Sequence, residues 1–174
     1  FKAQELAIMA WAFATAGHAA PALFHTFAHA STVSIAHFKP QNLANTAWAF
    51  ATAGHPSPAL FDTLALATLV SVDKFHPQNL ANIAWAFATA RHPSPELFDA
   101  LGEAATASIA QFKPQELANT AWAFAVVGNA WPALFGALAR ASAASIDRFS
   151  PQNLANMAWA FATAGYPSAW LFNI

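Results

Sequence analysis

The sequence repeats one phrase with a period of 37 residues, and this period constrains the fold more than any other feature. Each copy opens on a phenylalanine and has a tryptophan at its middle, namely Trp11, Trp48, Trp85, Trp122 and Trp159. The predicted repeats are 1–37, 38–74, 75–111 and 112–148, with a partial repeat at 149–174. Such a period is typical of a stacked array, in which each unit buries its apolar face against its neighbours. The sequence therefore predicts a single repeat array over 1–174.

Proline and glycine divide each repeat into two helices. Pro40 suits the first position of a helix, and Gly54 suits the left-handed conformation that ends one. Ser57 and Pro58 then begin a second helix that is expected to run to about Asp73. Two helices joined by a short turn are antiparallel. The pattern predicts an all-α, right-handed α-solenoid of tandem 37-residue helix-turn-helix repeats, with the first helices lining one surface and the second helices the other.

Composition excludes several classes of protein. Hydrophobic residues make up 57% of the chain, but an uncharged run such as 40–61 is interrupted by amides, a glycine and prolines, so no membrane-spanning helix is expected. The absence of cysteine excludes a disulfide framework and a thiolate zinc site. His25 and His29 lie four residues apart, but no third metal ligand is evident. The chain starts and stops inside a repeat, which suggests an excerpt of a longer array.

No catalytic constellation is evident, because near-identical repeats supply only translated copies of the same few residues. The turn residues His18, His55 and His92 recur one repeat apart, about 10 Å in a helical array, which is too far for shared metal coordination. Trp131 and Trp170 lie outside the tryptophan row and are expected to pack locally. We therefore expect a binding module that is not an enzyme and that has no cofactor, metal or small-molecule substrate.

Amide side chains recur on the polar face of the first helix. Glutamine occupies one position in all five copies, and asparagine another in four, where the first copy has Ile8. Asparagine is a poor helix former, so its repeated use in mid-helix needs a reason. Two interpretations are open: the amides are satisfied within the protein, by a ladder between neighbouring helices or by the backbone of the preceding turn, or they face a ligand.

Two positions on the same face vary between copies. One position holds Glu5, Asn42, Asn79, Glu116 and Asn153, and the other holds Met9, Thr46, Ile83, Thr120 and Met157. The two lie four residues apart and so share one patch of a helix. Helical repeats that read RNA use two or three such side chains per base. Variation here indicates either a reading role or drift on a solvated face, and exchanging the pair between repeats is predicted to test the reading role.

The net charge of −1 argues against strong nonspecific binding of nucleic acid. However, five of the seven Lys and Arg residues flank the first phenylalanine of a repeat, namely Lys2, Lys39, Lys74, Lys113 and Arg148, and His37 and His76 occupy equivalent positions. Helix N-termini favour anions, so this row would follow a phosphate backbone. The alternative is that these residues only solubilise the junctions.

These patterns give one set of candidate RNA-binding residues on the first helices. They are Lys39, Gln41, Asn42, Asn45, Thr46, His76, Gln78, Asn79, Asn82, Ile83, Lys113, Gln115, Glu116, Asn119, Thr120, Gln152, Asn153 and Asn156. The tryptophans lie at the border of the polar and apolar arcs and are interpreted first as core residues, with base stacking as a secondary role.

The phrase at 38–54, and its core at 41–51, 78–88, 115–125 and 152–162, resembles the repeats of a known family. These are the octotricopeptide repeat proteins and the related RAP-domain and FAST-kinase-like proteins of algal and protist organelles. The resemblance implies single-stranded RNA bound along the first helices, at Asn42, Asn45, Thr46 and their equivalents. It also implies a mitochondrial or chloroplast location and a role in RNA maturation, stability or translation. The alternative is a HEAT-like scaffold with a protein partner, which the scarce positive charge favours.

Overall fold

The computed structural model describes residues 2–17, 20–55, 57–92 and 94–166, and within these ranges the chain is all-α with no β-strand. The first helices of the repeats are α1 (Ala3–Thr15), α3 (Pro40–Thr52), α5 (Pro77–Ala90), α7 (Pro114–Val126) and α9 (Pro151–Thr163). The second helices are α2 (Pro21–Ser34), α4 (Pro58–Ser71), α6 (Pro95–Ser108) and α8 (Pro132–Ala143). The expectations for His18 and Trp170 fall outside the described residues.

Helix boundaries follow the predicted punctuation. Pro40 is the first residue of α3, and Gly54 ends the helix region with a φ of 61°. Arg91 occupies the equivalent position of the next repeat with a φ of 53°, which is unusual for a residue with a Cβ. Ser57 precedes α4 as predicted, although its side chain makes no capping bond. A short 3-10 turn at Val72–Lys74 then leads into the next repeat.

The repeats stack in two layers. Successive first helices pack against each other much more extensively than successive second helices do. Alanine permits this close approach, since Ala44, Ala47 and Ala49 are fully buried in α3. The first-helix layer is therefore the more closely packed of the two. This is the solenoid that the period predicts; its right-handedness stays a prediction.

Phenylalanines link each repeat to the next through the core. The second-helix phenylalanine of one repeat meets the first-helix phenylalanine of the following repeat edge-on, at centroid distances between 5.0 and 5.2 Å. The four pairs are Phe24–Phe50, Phe61–Phe87, Phe98–Phe124 and Phe135–Phe161. The repeated apolar sequence predicts that Leu43, Phe50, Leu60, Phe61, Phe75 and their equivalents are buried. These five are buried, whereas the equivalents Phe13, Leu23, Phe38 and Leu154 are only partly buried.

The turn after each first helix fastens its repeat to the preceding one. His92 packs against Phe61 and Phe87, and its Nε2 lies 2.9 Å from Oδ1 of Asp62 on α4. His55 lies at the equivalent position, with its Nε2 3.2 Å from the carbonyl oxygen of Pro21. Burial lowers the pKa of His55, and the neighbouring His25 lowers it further. The recurring turn residue is therefore an inter-repeat contact rather than a mere connector.

The described part of the chain contains neither a candidate membrane-spanning helix nor a candidate metal-binding cluster. None of its helices has the length and apolar character needed to cross a bilayer. His25 and His29 are not joined there by a third metal-ligating side chain, because the described ranges contain no group of three or more His, Cys, Asp or Glu that could hold a metal ion.

Candidate nucleic-acid interface

Each first helix presents one stripe of side chains to the open side of its layer. In α3 the stripe is formed by Gln41, Asn45, Trp48 and Thr52, at spacings of four, three and four residues that return to the same face. Gln41 and Thr52 are exposed, whereas Asn45 and Trp48 are partly buried. Because the first helices lie side by side, equivalent stripe residues form rows that cross the array. We call the glutamine, asparagine and tryptophan rows together the first-helix face.

The tryptophan row is continuous over all five repeats. Neighbouring indole centroids are 6.5, 6.2, 6.5 and 6.4 Å apart, and the angles between ring planes are 39°, 28°, 33° and 33°. The end members Trp11 and Trp159 are 45% and 47% exposed, and the inner three pack partly on the core. The core interpretation therefore holds only in part, because each inner tryptophan packs against the core but is only partly buried.

Sequence reasoning left the tryptophans out of the candidate site although a signal was available. Trp48 lies seven residues after Gln41 and three after Asn45, which places all three on one helical stripe. By angle alone, the tryptophan lies at the border of the polar and apolar arcs. Its position relative to the two amides was the better guide.

The asparagine and glutamine rows are not bonded to each other. Within the described residues, the side chains of Asn45, Asn82, Asn119 and Asn156 make no hydrogen bond with other protein atoms, and the five glutamines make none either. The interpretation as an amide ladder is therefore wrong. Each repeat from the second to the fifth presents two free amides, and each amide carries a donor and an acceptor.

The first of the two variable positions caps the helix. Oδ1 of Asn42 accepts a hydrogen bond from the backbone N–H of Lys39 at 3.0 Å, and Oε2 of Glu116 accepts one from Lys113 at 2.7 Å. The third helical residue makes this bond in all five copies. Both Asn and Glu can accept at this position, which explains why they alternate. Asn42, Asn79, Glu116 and Asn153 thus have a structural role at the helix start.

The second variable position lies in the core. Thr46, Ile83, Thr120 and Met157 are all buried, so the prediction that they belong to the exposed surface is wrong. The physical reason is the layer itself: each inner first helix contacts a first helix on both sides and a second helix behind, which widens its buried arc. These side chains are covered before any ligand binds.

Basic residues form one edge of the first-helix face. Lys2, Lys39, His76 and Lys113 immediately precede the first residue of their helices and are exposed. An open groove of about 520 Å³ lies between the starts of α1 and α3, and its lining includes Lys2, Gln4, Lys39, Gln41 and Asn45. The structure thus brings the predicted lysines and amides together on one surface.

A family model described as RNA-editing substrate-binding complex 6 protein matches residues 1–173. The chain belongs to this family. No individual curated protein matches the sequence. Membership gives the protein a role connected with an RNA-editing complex and is consistent with an RNA-related binding function. The narrower resemblance to octotricopeptide, RAP-domain and FAST-kinase-like proteins stays a prediction.

Charge is unevenly distributed in this member of the RNA-editing substrate-binding complex 6 protein family. Of its eight acidic residues, four lie on second helices, namely Asp62, Glu96, Asp99 and Glu103. On the first helices, Glu5 and Glu116 are both engaged as caps. The other two, Asp73 and Asp147, are exposed in the 3-10 turns beside Lys74 and Arg148. The net charge of −1 therefore combines cations at the starts of the first helices with acidic residues on α4, α6 and these turns.

Proposed function

We propose that this protein binds single-stranded RNA along the first-helix face as a non-enzymatic module of an RNA-editing complex. The observation that carries the proposal is the row of five indoles beside two rows of unpaired amides and a basic edge. A role in organellar RNA maturation, stability or translation, in the mitochondrion or chloroplast, belongs to the same proposal. The family and the resemblance of the repeats support it.

Each row supplies one of the interactions that single-stranded RNA requires. Bases stack on aromatic side chains, and unstacked bases offer their edges to hydrogen-bonding groups. Lysines beside the helix N-termini attract phosphate. Stacked nucleotides are about 3.4 Å apart, whereas the indoles are 6.2 to 6.5 Å apart. A strand that follows the row at one nucleotide per repeat is therefore unstacked, and its base edges face the amides.

The test is to compare Lys39→Ala with Arg140→Ala, since Arg140 is an exposed cation on α8 in the second-helix layer. Binding of labelled single-stranded RNA is measured by fluorescence anisotropy from low to moderate salt. Lys39→Ala should weaken binding to all sequences by a similar factor and lower the salt slope by about 0.7, the contribution of one phosphate contact on a single strand. Arg140→Ala should change neither. Equal effects of the two variants would contradict binding at this face.

A protein partner is the second candidate, and one observation favours it. Val33, Leu66 and Val70 are 74%, 66% and 86% exposed on α2 and α4, which belong to the second-helix layer. This supports a HEAT-like protein contact on the second-helix layer, compatible with RNA on the other. If the array is only a scaffold, no single-stranded RNA will bind even at low salt, and Leu66→Glu will disrupt a complex that Lys39→Ala leaves intact.

A further inference from the structure

We infer that the first-helix face recognises a run of identical nucleotides, and that those nucleotides are adenines. The inference rests on the proposed function, because it specifies the RNA that the same surface binds. It comes from a contrast between the side chains that reach the surface and those that vary between repeats.

The surface is nearly uniform from one repeat to the next. The second to fifth repeats present the same glutamine, asparagine and tryptophan, with the amides free of protein partners. Two positions that vary along the same helices do not face a ligand, whereas the last stripe position, Thr52 in α3, is Val126 in α7. Asn42 and its equivalents bond to the backbone at the helix start, and Thr46 and its equivalents are buried.

A surface that presents the same side chains in every repeat is expected to bind the same base at every repeat. Helical-repeat proteins that recognise RNA assign about one base to each repeat, and two or three side chains choose it. Different bases would require different side chains at the surface, as the base edges differ in their donors and acceptors. Four successive repeats with the same reading residues therefore favour four identical nucleotides in a row.

The chemistry of the amides favours adenine. Asn and Gln offer a donor and an acceptor together, the pair that usually binds the N6 donor and N7 acceptor of adenine. Uracil offers N3–H and O4 on the edge that a single strand leaves open, so the experiment includes a uracil run. Guanine presents two acceptors at N7 and O6, which Arg or Lys satisfies; the glutamine, asparagine and tryptophan rows contain neither, and the lysines lie at the edge, at the helix starts. The acceptor-only carboxylates that suit the cytosine amino group are absent from its three rows as well.

The first repeat is not expected to select a base. Ile8 replaces the asparagine there and is 49% exposed, so it offers no hydrogen bond to a base. Trp11 nevertheless continues the tryptophan row, with its indole 6.5 Å from that of Trp48. The first repeat can thus stack a base without selecting it.

The experiment compares two RNAs of twelve nucleotides with the same composition. One has four adjacent adenines flanked on each side by four cytosines, and in the other every adenine is separated from the next by two cytosines. Anisotropy at low salt should show at least tenfold tighter binding of the first RNA. Asn82→Ile introduces the residue that the first repeat already carries at this position, and it should reduce the difference to about twofold or less while binding to both RNAs persists. Circular dichroism checks that the variant is folded.

Each outcome has a distinct meaning. Equal binding of the two RNAs by the unmodified protein overturns the inference but leaves the proposed function in place. A third RNA carries four uracils in place of the adenines, and binding of this RNA as tight as that of the adenine run, or tighter, would overturn the assignment to adenine. Failure to bind any of them would overturn the proposed function and this inference together. In the opposite direction, Ile8→Asn should extend the preferred run from four adenines to five, and an unchanged preference would contradict one base per repeat.

Discussion

Thr120 shows how the layer overrides the polarity of a single residue. Its hydroxyl is buried and has no hydrogen-bond partner in the described structure, and the same holds for Thr46. Equivalent helices carry Ile83 and Met157 at this position. A site that accepts both Thr and Ile selects side chains by their volume. The threonine hydroxyl is therefore removed from water without gaining a hydrogen bond in the protein.

We expect Thr120→Val to stabilise the protein by about 1 kcal/mol, because valine keeps the shape and removes an unpaired buried hydroxyl. Urea denaturation followed by circular dichroism measures the change. Thr52→Val is the matched control on α3, where the side chain is exposed, and should change stability by less than about 0.5 kcal/mol. A loss of stability in Thr120→Val would show that the hydroxyl has a hydrogen-bond partner after all.

The two variable positions show what a helical wheel can and cannot predict. The spacing of 100° per residue places Thr46 and Asn42 on the polar arc, yet one is in the core and the other caps the helix. A helical wheel does not include the neighbouring helices, whose number determines how wide the buried arc is. Exchanging Asn42 for the glutamate of the fourth repeat therefore preserves a cap, and the change of base preference expected from the sequence no longer follows.

At the scale of elements, the sequence predicted the helices well because proline and glycine act locally. Contacts between repeats depend on space that only the structure reveals. Trp131 precedes α8 and packs over Gly102 on α6, where an added Cβ would lie 2.2 Å from Cε3 and Cζ3 of the indole. The preceding repeats have Ala65 and Ser94 at these two positions. The indole of Trp131 occupies the space that a side chain at position 102 would fill.

Gly102→Ala should destabilise the protein by about 1–3 kcal/mol through overpacking, although alanine favours a helix by about 1 kcal/mol over glycine. Adding Trp131→Ser should relieve the clash, since the double variant reproduces the Ala65 and Ser94 pair. A double-mutant cycle from urea denaturation measures the coupling between the two positions. Additive effects would contradict the close contact between Trp131 and Gly102.

At the scale of the whole molecule, the array places different chemistry on its two layers. The first helices gather aromatic, amide and basic groups, and the second helices carry acidic and exposed apolar residues. The period predicted the two layers but could not predict which side chains remain free of partners. That property depends on the spacing of neighbouring helices, which no single repeat determines.

Stability should also depend on position along the array, because each repeat contacts only its neighbours. Leu80 is buried in α5, which packs against α3 on one side and α7 on the other. Leu154 is the equivalent residue of α9, and it is only partly buried. Leu80→Ala should cost about 2–5 kcal/mol, as other buried leucines do, and Leu154→Ala should cost clearly less. Urea denaturation of the 174-residue chain measures both, and equal losses at the two positions would contradict a nearest-neighbour array.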